Sequence, residues 1–169
     1  MHPTPAPESF AGRIAVVYYS RTGTTERVAT DLADRVPRPA VQHVEPTTER
    51  RYPTWLLLSF VPGATVPIAD LQTDLRQADA LLVGTPKWTL ACPPTNAFVR
   101  ALEATDVPTG LFVTYGGFDE RRFADDLARR LVAAGADLRA TLLVQRDAVG
   151  ADDYADGLET FLDAVIDDR

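Results

Sequence analysis

Cysteine is almost absent. Cys92 stands alone in 169 residues, so no internal disulfide can form, and nothing points to an oxidising compartment. Histidine is nearly as scarce: His2 and His43 are the only two. Neither sits with carboxylates or a second imidazole at ligand spacing, so no metal site is expected. No basic stretch followed by an apolar core opens the chain, so no signal peptide is expected. The longest apolar run, residues 55–61, is far too short to span a bilayer. Positive charge is also in deficit. A net charge of −7 disfavours nucleic acid and any polyanionic surface as a partner. Lysine is missing but for Lys87, the other sixteen basic residues being arginine. These absences make a cytoplasmic protein without an integral membrane segment the expectation.

What is present is ordinary for a soluble globular chain. Hydrophobic residues make up 46% and charged residues 24%, and the length suits one domain with a sizeable core. Residues 1–12, with Pro3, Pro5 and Pro7, read as a loose tail, leaving a single domain over 13–169. Strands are expected at 13–19, 41–44, 80–83, 110–115 and 137–145. Helices are expected at about 25–36, 69–77, 94–104, 119–134 and 152–167, from apolar residues such as Val28, Leu32 and Val36 sharing one face. Residues 45–69 are the least legible part. Pro46, Pro53, Pro62 and Pro67 break any long element, yet 55–61 is strongly apolar. It is either a packed excursion over the sheet edge or an exposed patch for a partner, a second subunit or a membrane face.

Five strands alternating with helices predict an α/β fold: a doubly wound parallel sheet, order 2-1-3-4-5, with helices on both faces. In such sheets ligands sit beyond the carboxyl ends of the strands, between the first and third. Three loops meet there. The first, after a buried-strand run, holds Ser20, Thr22, Gly23, Thr24 and Thr25 at the start of a helix. Its unpaired N–H groups and hydroxyls suit a phosphate without any lysine. It has neither the lysine of a nucleotide-triphosphatase loop nor the three glycines of a dinucleotide-binding turn. The second loop, 84–93, brings Trp88, which reads either as a wall for a flat ring or as a hydrophobic plug. The third, 115–120, brings Tyr115 or Phe118 beside Gly116 and Gly117. Aromatic faces stack on planar ligands. Ser20 lacks a His or Asp partner in the pattern, so no hydrolase and no catalytic residue is expected. Cys92, with no second cysteine to resolve it, reads as a packed loop thiol rather than a redox group.

The segments Tyr19-Ser-Arg-Thr-Gly-Thr-Thr-Glu26, Val83-Gly-Thr-Pro-Lys-Trp88 and Val113-Thr-Tyr-Gly-Gly-Phe118 resemble the three FMN loops of flavodoxin-like proteins. The likeness in element order covers about residues 13–168. This resemblance implies non-covalent FMN. Ser20, Thr22, Gly23, Thr24 and Thr25, with Arg21 among them, would take the phosphate. Thr85, Pro86, Lys87, Trp88 and Thr89 would line one ring face, and Tyr115, Gly116, Gly117 and Phe118 the other. One departure is plain: flavodoxins usually carry a glycine beside the second-loop aromatic, where this chain has Thr89 and Leu90. The function implied is electron transfer between protein partners. An FMN-dependent reductase acting on a small oxidant such as a quinone stands as the alternative. A cofactor-free interaction module, its pocket closed by Trp88 and Phe118, is the third reading. Residues 55–61 would offer the partner or dimer contact.

Overall fold

In the computed structural model residues 12–102 and 106–167 are described. Most of the expected tail, with His2, lies outside the described residues, as do the last residues of the expected helix 94–104. Strand β1 (Ile14–Tyr18) is buried along its whole length, with no alternation. That is the signature of a central strand covered on both faces. Its neighbours are β2 (Pro39–His43) and β3 (Ala80–Pro86), both parallel, with Ile14 in register with Pro39 and with Ala80. Strands β4 (Pro108–Tyr115) and β5 (Asp137–Gln145) complete an all-parallel sheet of order β2-β1-β3-β4-β5. The expected sheet order is the observed one.

Alternate residues of β1 feed two cores. Ile14, Val16 and Tyr18 pack with Val28 and Leu32 of α1 (Thr24–Ala33) and with Leu158 and Phe161 of a C-terminal helix, Ala155–Ile166. Ala15, Val17 and Tyr19 pack on the other face with Phe98 of the helix Pro93–Ala101 and with Phe123, Leu127 and Leu131 of the helix Glu120–Ala133. Each such aliphatic side chain contributes roughly 1.5–3 kcal/mol when fully buried. Gly84, in the middle of β3, has a packing reason. A Cβ there would fall 2.1 Å from the tip of the Phe112 ring on β4, so the ring lies where a side chain would stand.

Three elements differ from expectation. The expected helix 69–77 is a single 3-10 turn, Leu75–Gln77, started by the Asp74 carboxylate accepting from Arg76 N–H. Upstream of it, tertiary bonds hold the backbone out of a helix. Ala69 N–H donates to the Glu45 carbonyl and Gln72 N–H to Gln42 Oε1, and Pro46 bridges Ile68. The proline-rich excursion, by contrast, contains a helix, α2 (Tyr52–Ser59). Pro53 sits in its first turn, where a missing N–H costs nothing. After α2 come α3 (Pro93–Ala101) and α4 (Glu120–Ala133). A short α5 (Arg146–Gly150) then follows β5 directly, so that α6 (Ala155–Ile166) starts later than the expected 152.

Candidate functional site

At the carboxyl end of β1 the chain turns sharply into α1. Gly23 makes the turn with φ 93° and ψ −9°, a left-handed conformation that suits glycine. Nothing lies within 4 Å of where its Cβ would be. Ser20 Oγ accepts from Gly23 N–H at 3.1 Å, and Arg27 N–H closes the first helical bond on the Gly23 carbonyl at 2.9 Å. No side chain caps α1, so its leading amides carry the partial positive charge of the helix end without a side-chain acceptor. Thr25 is buried, and its Oγ1 lies 2.8 Å from Thr114 Oγ1, tying the helix to the end of β4.

Beside this corner opens a cavity of about 320 Å³, at the lower end of the range for small-ligand sites. Ser20, Arg21, Thr22, Thr24 and Thr25 line it on the β1 side, Pro86, Lys87, Trp88 and Thr89 on the β3 side, and Tyr115 on the β4 side. All three loops therefore reach one cavity. Five expected residues do not line it. Gly23 shapes the turn from behind. Thr85 is wholly buried and bonds to Thr95 Oγ1 (2.9 Å) and the Pro86 carbonyl (3.0 Å), which makes it a structural hydroxyl. Gly116 and Gly117 are exposed at the rim. Phe118 is 86% exposed at φ 84°, and so neither walls nor plugs the cavity.

Comparison with known proteins places the chain. An uncharacterized protein of Archaeoglobus fulgidus is 36% identical over 130 residues, covering 76% of this chain and 83% of its own length. The two belong to one family. No family model matches the chain. A protein of Bacteroides eggerthii DSM 20697 superposes with a TM-score of 0.71 at 19% identity, covering 93% of this chain and 99% of that one. A flavoprotein of Lactobacillus acidophilus NCFM, solved in complex with FMN, gives 0.63 at 14% identity, over 84% and 98% of the two chains. The flavodoxin of the pneumococcal strain TIGR4 gives 0.57 at 18% identity, over 90% and 97%. The chain adopts the flavodoxin-like fold.

Within this flavodoxin-like frame, one wall of the cavity comes from the excursion. Tyr52, Trp55, Leu56 and Ser59 of α2 line it. Their spacing, i, i+3, i+4, i+7, is one helix face. The signal was present in the sequence but masked, because Leu57, Leu58 and Phe60 make the segment apolar all round. The helix is bolted to the β3 loop at its far end. The Ser59 carbonyl accepts from Leu90 N–H and Ala91 N–H, both at 2.9 Å, and Thr89 Oγ1 lies 2.6 Å from that carbonyl and 2.8 Å from Ser59 Oγ. Trp88 is half-buried between two rings, edge-on to Trp55 and to Tyr19, with centroids 5.5 Å away in each case. Arg21 lies over the Tyr52 ring at 4.9 Å.

The lining is basic. Arg21, Lys87 and Arg146 contribute to it and, among the described residues, no Asp or Glu does, in a chain of net charge −7. Arg146 had no signal in the sequence, since its place follows from β5 ending beside Tyr115. Burial, then the neighbouring Cys92, pushes the Tyr19 phenol up to about 12, against a smaller opposing effect of Arg21. Burial also raises Cys92, a buried thiol that accepts from Thr95 Oγ1 at 3.4 Å, so it is protonated and unreactive near neutrality. Among the described residues no group of three or more His, Cys, Asp or Glu could hold a metal ion, and no helix is long and apolar enough to cross a membrane.

Proposed function

We propose that this chain binds FMN and works as a flavodoxin-like redox protein. The observation that carries the reading is one cavity joining the uncapped α1 corner to Trp88 and Tyr115, lined, among the described residues, by three cations and no carboxylate. The chemistry of that donor set fits a phosphorylated planar cofactor. Thr22 and Thr24 supply hydroxyls, the amides behind Gly23 supply donors, and the aromatic side chains supply flat apolar surface. The proposed cofactor contacts are Ser20, Arg21, Thr22, Thr24 and Thr25 for the phosphate, on the turn that Gly23 shapes. Pro86, Lys87, Trp88, Thr89 and Tyr115 would border the ring. Bound FMN supplies the redox chemistry; the protein supplies binding, orientation and charge. The exposed Leu57, Phe60 and Val61 on and just after α2 offer apolar area for a redox partner protein. The experiment is a titration with FMN, following flavin fluorescence and the visible band. Saturable quenching with a shifted band is expected, and unperturbed flavin at micromolar protein overturns the reading.

A second reading is favoured by one specific observation, the α2 wall. Tyr52, Trp55 and Leu56 give the cavity an apolar side that a small flat oxidant such as a quinone would contact. Under this reading the flavin-loaded protein oxidises NADH or NADPH with a soluble quinone as acceptor. Turnover only with a protein acceptor rejects it.

A further inference from the structure

The α1 corner is held from outside by a residue on the edge strand. His43 ends β2, in register with Tyr18. Its Nε2 lies 3.2 Å from Ser20 N and 3.1 Å from Ser20 O. A neutral ring nitrogen makes one of those bonds at a time, accepting from the N–H or donating to the carbonyl. The other nitrogen, Nδ1, is 3.7 Å from Glu45 Oε1. In the tautomer protonated at Nδ1, the nitrogen that faces this carboxylate, Nε2 accepts from Ser20 N–H. Among the described residues that N–H has no other acceptor. Ser20 Oγ then accepts from Gly23 N–H. Glu45, His43, Ser20 and Gly23 thus form one line of contacts from the sheet edge to the turn that opens α1. The imidazole is itself held in place, stacked on Tyr19 at 5.9 Å with 10° between the planes.

We propose that His43 is a positioning residue for phosphate recognition: by fixing Ser20 it presets the corner for a phosphate monoester, and so favours FMN over riboflavin. The inference rests on the FMN reading above. Presetting a loop in its bound geometry raises affinity by removing the ordering cost of binding. The benefit falls on the group that the loop touches, the phosphate, and not on the ring.

The test compares wild type with His43→Phe, which keeps a ring against Tyr19 but has no nitrogen, and His43→Gln, whose Oε1 can again accept from Ser20 N–H. Dissociation constants are measured for FMN and riboflavin, and backbone amide shifts of Ser20 and Gly23 are followed on titrating inorganic phosphate. His43→Phe is expected to weaken FMN about five- to tenfold, the worth of one hydrogen bond, and riboflavin less than about twofold. His43→Gln should recover most of the loss. Equal losses for both flavins, or no loss for either, overturn the proposal. If wild type binds neither flavin, the FMN reading falls by itself and the phosphate titration decides. Amide shifts seen in wild type and His43→Gln but lost in His43→Phe uphold the positioning role, and identical behaviour of all three rejects it. Should His43→Phe not fold, Glu45→Ala at an exposed side chain takes its place. Weaker FMN with unchanged riboflavin supports the proposal, and no change in either overturns it.

Discussion

Thr25 Oγ1 and Thr114 Oγ1 lie 2.8 Å apart with both side chains buried, one in the first turn of α1 and one at the end of β4. The pair joins the two sides of the cavity, β1 corner to β4 rim, across the end of β3. Thr114→Val removes one partner and leaves the Thr25 hydroxyl buried and unsatisfied, which should cost about 1–3 kcal/mol. The Thr25→Val/Thr114→Val double variant should recover much of that loss, because neither hydroxyl then lacks a partner. Urea unfolding of the four proteins in a double-mutant cycle measures the coupling.

Gly84→Ala should be worse tolerated than an alanine in a strand ordinarily is. Its methyl would meet the Phe112 ring at 2.1 Å, well inside contact distance. Overpacking of this kind costs typically about 1–3 kcal/mol. Phe112→Leu in the Gly84→Ala background should return part of the stability, while Phe112→Leu alone lowers it. Thermal unfolding midpoints of the three variants decide whether the ring is the obstacle.

Alkaline conditions should loosen the fold through Tyr19. Its phenol is raised from 10.0 to about 12 in the folded protein. Above pH 10 the unfolded chain releases this proton while the folded one retains it. Stability is therefore fully present below pH 10 and falls as pH rises toward 12, by on the order of 1–3 kcal/mol from this group. Tyr19→Phe keeps the ring and removes the titration. Its unfolding midpoint in urea should fall less steeply than that of wild type between pH 9.5 and 11.5. Parallel slopes would assign the alkaline loss elsewhere.

At the corner itself, Gly23→Val puts a β-branched residue at φ 93°, in the region that such side chains avoid. FMN affinity should drop by about five- to a hundredfold, since relief of a strain of about 1–3 kcal/mol moves the corner away from the geometry that would seat the phosphate. Trp88→Phe retains a flat ring between Trp55 and Tyr19 and should weaken FMN by less than about fivefold. The reverse order in fluorescence titrations would mean that ring contacts, and not the corner, dominate binding.

The parts of this architecture that could be read from sequence are those set by neighbours in the chain. Unbroken apolar runs such as 80–83 marked the central strands, and the run of hydroxyls about Gly23 marked the corner. What escaped depends on distant partners. The irregular stretch before Leu75 is held by Glu45 and Gln42 beside the β2 edge, which outweighs its local helical pattern. The α2 wall hid inside an apolar segment with no polar face to orient it. Arg146 and His43 look like isolated residues on strand ends until the sheet order brings them beside Tyr115 and Ser20. Phe118 shows the opposite case. It is a plausible wall by its place in the third loop, yet its left-handed backbone leaves the ring in solvent.

Lys87 has a practical corollary. Every other basic side chain is a guanidinium, so the border of the cavity carries the molecule's one side-chain amine. An amine-directed reporter would therefore have a single internal address, beside Trp88, where occupancy of the site alters its surroundings most. Partial labelling would then footprint whatever ligand the protein prefers before that ligand has been identified.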